Sequence, residues 1–142
     1  MTNGTQNKPL NANQLKEELM HFTGDLVRYQ HPLNASVIYT PGVRHLAEKA
    51  DAYWLIDAIA SWIGSTEFND FKKWSPSILI SHAWELNVDL EKGSATLHAE
   101  EDTYIEPFIV QEIAFTDFPL EKMIIWAAFD GSHWMLYLPS EH

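Results

Sequence analysis

Asp57 is the only charged residue in the apolar stretch Ala52–Ile63, and Ser61 follows it four residues on. A carboxyl buried there would be placed for general acid–base work. The plainer expectation is a strip of helix that meets solvent, or that pairs with Arg44 or Lys49 on the preceding helix. Seven histidines raise the question of a metal. His45 and Glu48 lie three apart on one helix, while His82, His98 and His133 fall on different strands. The chain has no HxH, no HExxH and no histidine pair spaced i, i+4, so no metal ligand set is assigned. His82 shares a strand face with Trp84 and reads as a core histidine. With Asp57 and Trp84 it would also line any pocket between helix 52–63 and the sheet. GxSxG, the P-loop and GxGxxG are missing, and there is no cysteine for a thiolate or a disulfide. No catalytic residue and no cofactor follows from these residues.

The acids are more informative. Residues 1–74 carry eight acids and seven bases, whereas residues 75–142 carry twelve acids and two bases, Lys92 and Lys122. Nearly all of the net charge of −11 therefore lies in the second half. Glu85, Asp89 and Glu91 project to one side of a strand. Glu100 projects to the same side of its neighbour, beside the acidic tip Glu101-Asp102. Like charges facing one another across a sheet cost stability. The face is then a surface for a basic partner, an imitation of DNA that occupies a nucleic-acid-binding protein, or simply the solvated side of a sheet. Direct binding of nucleic acid or anionic lipid is disfavoured by its sign.

The elements that must position these residues follow from periodicity. Residues 1–13 are polar and are expected to be mobile; 14–142 read as one α+β domain. Helices are expected at about 14–22, capped by Asn13 and stopped by Gly24, and at 41–50, 52–63 and 66–74. Thr40-Pro41 opens the second and Asp51 is placed to cap the third. After Pro76 the period changes from 3.6 to 2. Ile80, His82, Trp84, Leu86, Val88 and Leu90 form an apolar face that alternates with Ser81, Ala83, Glu85, Asn87, Asp89 and Glu91. Further strands are expected at 95–100, 107–115, 122–129 and 133–138, the last two joined at Asp130-Gly131. The result is a C-terminal antiparallel meander of four to five strands with the helices packed on one face. The longest apolar run, Met123–Phe129, is far short of the roughly 20 residues of a membrane span. No basic, apolar leader precedes residue 14, and a cytoplasmic protein without a membrane partner is expected.

The segments HPLNASVIYTPGVRHLAEKADAYWLIDAI (31–59), IAFTDFPLEKMIIW (113–126) and LYLPSEH (136–142) resemble a family of small bacterial proteins filed as a domain of unknown function. The shared patterns are YTxGVxxLAxxAxAYWLxD at 39–57 and FTDFPL at 115–120. The resemblance implies a bacterial accessory protein, encoded near plasmid, phage or other mobile genes, and it transfers no site residue. Three readings stand beside one another. The first is a non-enzymatic accessory protein whose acidic sheet surface binds a basic or DNA-handling protein. The second is a small enzyme or small-ligand binder with a pocket at helix 52–63, and the third a homodimer without ligand.

Overall fold

The change of period at Pro76 separates helices from most of the sheet, as the pattern requires. The computed structural model describes residues 11–23, 27–74, 81–100 and 107–141. Its helices are α1 (Ala12–Met20), α2 (Pro41–Lys49), α3 (Tyr53–Trp62) and α4 (Thr66–Trp74). The strands are β1 (Tyr29–Gln30), β2 (Val37–Tyr39), β3 (Ser81–Asp89), β4 (Ser94–Glu100), β5 (Ile109–Ile113), β6 (Lys122–Phe129) and β7 (Trp134–Tyr137). A 3₁₀ turn, Pro139–Glu141, follows β7. Residues 1–10, Gly24, Pro76 and Ile80, which carry parts of the expected pattern, lie outside the described residues. Of the expected mobile segment, Ala12 and Asn13 already belong to α1, and the cap is Asn11, whose side chain accepts from the Gln14 N–H at 3.1 Å.

The fold is α+β, but among the described residues the sheet is larger than expected, with seven strands in the order β1-β2-β7-β6-β3-β4-β5. The expectation of four to five antiparallel strands in a meander is corrected in two ways. First, β2 pairs parallel with β7, matching Val37 with Trp134 and Tyr39 with Leu136. Strands of two and three residues, β1 and β2, are too short to show alternation, and their partners are far away in the chain. Second, β6 lies beside β3, not beside β5, so β3 to β6 form a Greek key. The chain between β5 and β6 crosses back while burying Phe118 and Leu120 in the core. The β3–β6 pairing runs from Ser81↔Ala128 to Asn87↔Lys122 and sets two long strands at the centre.

One face of the sheet carries His82, Trp84 and Leu86 of β3, Leu97 of β4, Ile125 and Ala127 of β6, and Leu136 of β7, all buried. The helices cover it with Leu15 and Leu19 from α1, Val43 and Leu46 from α2, Leu55, Ile56 and Ile59 from α3, and Phe68 from α4. His82 sits among rings of Phe68, Trp84, Phe108 and Trp134 at centroid distances of 5.1–5.8 Å. Among the described residues, no helix is long and apolar enough to cross a membrane.

Two local devices hold the helical layer. Thr40 caps α2, its hydroxyl accepting from the Val43 N–H at 3.3 Å and donating to Glu141 Oε1 at 2.6 Å. Glu141 also accepts from the Leu138 N–H and the Gly42 N–H, so the C-terminal turn is clamped onto the start of α2. A Cβ at Gly42 would come within 2.6 Å of Glu141 Oε1 and 2.8 Å of Leu138 Cδ1, which is why a glycine stands there. Asp51, expected to cap α3, instead takes φ +50°, and Ala52 occupies the cap position without a side-chain hydrogen bond. A short polar side chain is among the few that tolerate that left-handed conformation.

Candidate functional site

The outer face of the sheet is not uniformly wet. In register, Ala83 of β3 lies between Trp126 of β6 and Glu100 of β4, and Glu85 lies between Ile124 and His98. These bulky neighbours shield the centre of the face. Ala83 is 1% exposed, Glu100 is 6% exposed, and the Glu85 side chain only 12%. Glu85 Oε1 lies 3.3 Å from His98 Nε2, and Glu85 Oε2 lies 3.3 Å from Lys122 Nζ. The Asn87 amide donates to Glu85 Oε1 at 2.9 Å. Burial pushes the Glu85 carboxyl up, but the Asn87 amide and the Lys122 ammonium outweigh it and hold the group below the usual carboxylate range. Glu100 Oε1 approaches His98 Nε2 at 4.0 Å from the other side. Glu85, His98 and Glu100 thus offer three ligand atoms within 4.8 Å of one another.

The predicted acidic surface therefore divides. Glu85 and Glu100 share a face as the strand pattern requires, but they are shielded and grouped about His98 instead of being displayed to solvent. Asp89 and Glu91 are exposed at the β3–β4 turn. Asp89 shapes that turn, its Oδ1 accepting from the backbone N–H groups of Glu91 and Lys92. Glu101 and Asp102 lie outside the described residues.

A second site lies at the sheet edge. Residues spaced three and four apart on α3 share a face, and Trp54, Asp57 and Ala58 turn that face toward the terminal strand β5. One turn further along α3, the Trp62 indole N–H donates to Gln111 Oε1 of β5 at 2.7 Å and fixes the helix against the edge. Between them runs a groove of about 760 Å³, floored by Gln111–Ile113 and closed by Phe115, Thr116 and Asp117. Asp51, Asp57, Glu112 and Asp117 place four carboxylates around it. Trp54 offers a half-buried indole and Phe115 a ring that is 90% exposed.

Of the predicted pocket residues, Asp57 lines this groove, whereas His82 and Trp84 are in the aromatic core. Asp57 is 63% exposed and pairs with neither Arg44 nor Ser61. Arg44 stacks over Tyr29 and pairs with Glu48, and the Ser61 hydroxyl donates to the Ala58 carbonyl. The partner of Asp57 is His31, a buried residue the sequence pattern did not single out, with Nε2 to Oδ1 at 2.8 Å. His31 Nδ1 accepts the Leu33 and Asn34 N–H groups, so the ring proton is on Nε2 and is donated to Asp57. Both ring nitrogens are thus engaged in holding the 31–34 turn against α3, and Asn34 Nδ2 adds a bond to the Ala60 carbonyl. The histidine–aspartate pair is a brace, with no ring nitrogen left to act as a base.

The three-residue cluster on the outer face was legible in part. Alternation puts Glu85, His98 and Glu100 on one side, but a search for paired histidines passes over a cross-strand Glu–His pair, whose partners only the register identifies.

The chain belongs to a family of unknown function, DUF6876, whose model matches residues 13–142. Comparison with curated proteins and with solved structures found no match.

Proposed function

We propose that this member of the DUF6876 family is a non-enzymatic binding protein that takes a basic segment of another protein into the groove between α3 and β5. The observation that carries the reading is the composition of the groove. Four carboxylates and two aromatic faces surround it, and no lysine or arginine is among its lining residues. Guanidinium and ammonium groups are attracted both by carboxylates and by the faces of Trp and Phe rings, most strongly where water is partly excluded. Among the described residues strand β5 ends the sheet, so an extended segment laid along it would also gain main-chain hydrogen bonds. The excess of acids in residues 75–142 extends the attraction beyond the groove and favours rapid encounter with a basic partner. Proteins that handle nucleic acid display such basic segments, which makes them a natural class of partner. A second copy of this chain is a poorer occupant, because joining two such edges would bring acidic grooves together.

The test is a titration of ¹⁵N-labelled protein with an arginine- and lysine-rich peptide of about ten residues, an extended length spanning about 33 Å. Shifts concentrated at Trp54, Gln111–Ile113 and Phe115 support the reading. Reversing Glu112 and Asp117 to lysine is expected to weaken binding about tenfold, since each exposed ion pair contributes up to roughly 1 kcal/mol. Shifts centred on another surface, or affinity unchanged by the two reversals, would refute it.

A further inference from the structure

We infer that Glu85, His98 and Glu100 form a binding site for a divalent transition-metal ion, zinc being the best fit, on the outer face of the sheet. This site is separate from the groove at β5 and does not depend on the function proposed for it. The donor set is one imidazole and two carboxylates, a mixed nitrogen–oxygen set that suits zinc better than calcium or magnesium, which take oxygen alone.

The spacing agrees. Ligands about 2.0–2.1 Å from a tetrahedral zinc lie roughly 3.3 Å from one another. Glu85 Oε1 and His98 Nε2 are 3.3 Å apart, and His98 Nε2 and Glu100 Oε1 are 4.0 Å apart. All three ligand atoms fall within 4.8 Å of one another, so side-chain rotations that close the widest gap by up to about 1.5 Å bring them onto one ion.

The backbone that carries them is a pair of interior strands of the sheet. Glu85 and His98 are directly opposed across β3 and β4, and Glu100 is two residues further along β4 on the same face. All three side chains are shielded, with exposures of 12%, 18% and 7%. A doubly charged ion held by the three donors would add a cross-link between β3 and β4. Three protein donors leave one position of a tetrahedral ion open, to water or to a ligand group.

Lys122 provides an internal control. Its ammonium pairs with Glu85 Oε2 at 3.3 Å and so competes with a cation for the same carboxylate. Removing that ammonium should tighten metal binding, the opposite of what removing a ligand does.

The experiment is calorimetric titration of chelator-treated full-length protein with zinc chloride, with cobalt(II) absorption as a second readout and thermal melts with and without metal. One zinc per chain and a raised melting temperature are expected. His98→Ala and Glu100→Gln should each weaken zinc binding about 100-fold while leaving the protein folded, as judged by circular dichroism. Lys122→Met should strengthen it several-fold, and this variant keeps the test decisive if a ligand variant fails to fold. Zinc bound equally well by His98→Ala would place the ion on other histidines and overturn the inference. So would the absence of zinc binding by the folded wild-type protein, or binding weakened by Lys122→Met.

Discussion

Gly42→Ala distinguishes the packing described here from simple helix propensity, because the two predict opposite signs. Gly42 is in the first turn of α2, where exchanging glycine for alanine ordinarily stabilises a helix by up to about 1 kcal/mol. In this fold the added methyl would lie 2.6 Å from Glu141 Oε1, 2.8 Å from its carboxyl carbon and 2.8 Å from Leu138 Cδ1. The Glu141 carboxylate must then leave the hydroxyl of Thr40 and the N–H groups of Leu138 and Gly42. Hydrogen bonds to a charged acceptor contribute about 1.5–3 kcal/mol each when considered singly, but solvent replaces part of that at a half-exposed site. Set against the propensity gain, the net loss is about 2 kcal/mol. That corresponds to a fall in melting temperature of about 6–8 °C for a chain of this size. The assay is urea unfolding followed by tryptophan fluorescence, repeated in a Glu141→Ala background. There the same glycine substitution should cost less, with a coupling of about 1 kcal/mol, because the obstacle is gone and only Leu138 remains. A Gly42→Ala protein as stable as wild type, or additivity between the two changes, would show that the C-terminal turn does not clamp α2 as described.

Other outcomes follow from residues in the helical layer. His31→Ala should destabilise the fold by about 3 kcal/mol by orphaning the Leu33 and Asn34 N–H groups, whereas Asp57→Ala, on an exposed carboxylate, should cost no more than about 1 kcal/mol. Equal losses by chemical denaturation would contradict the bracing role. At Asp51, whose φ is +50°, glycine should be neutral or stabilise by up to about 1 kcal/mol and valine should destabilise by more than that; melting temperatures of the two variants decide it. The hydrogen bond from His45 holds the Glu18 carboxyl below its ordinary value of 4.5, joining α1 to α2 at 2.7 Å. A depressed folded-state value means the contribution is complete above pH 4.5 and fades as pH falls through the folded value. Hydrogen exchange in Ala12–Met20 should therefore accelerate selectively as the pH is lowered below 4.5, and Glu18→Gln should abolish that dependence.

The helical half and the two long central strands were readable because burial there is periodic. Thr66–Trp74 and Lys122–Phe129 fall where the pattern puts them, α2 is a residue shorter at its end, α3 a residue shorter at each end, and α1 begins and ends two residues earlier. What periodicity cannot carry is pairing between distant segments. Val37–Tyr39 is an extended tripeptide from sequence alone, and nothing local indicates that its partner is Trp134–Leu136. The return of β6 to β3 likewise depends on Phe118 and Leu120 finding the core, a tertiary outcome. At the sites the same division holds. The pattern puts Glu85, His98 and Glu100 on one face, but their shielding comes from Ile124 and Trp126 on a strand whose position it does not determine. Asp57 stands out by composition, while its partner His31 is 26 residues away in an irregular segment.

The pairing of β2 with β7, and the seating of Glu141 on α2, have a consequence for how the protein comes into being. During synthesis the first 80 residues emerge with α2 lacking its clamp and β2 paired on one side only, by β1; the clamp and the parallel neighbour β7 are both supplied by residues 134–141. Closure of the early segment must wait for residues 134–141 to leave the ribosome, so long-range closure should set the folding rate. Until then Val37, Val43 and Leu46 have part of their cover missing, an exposure of apolar surface that folding must outpace.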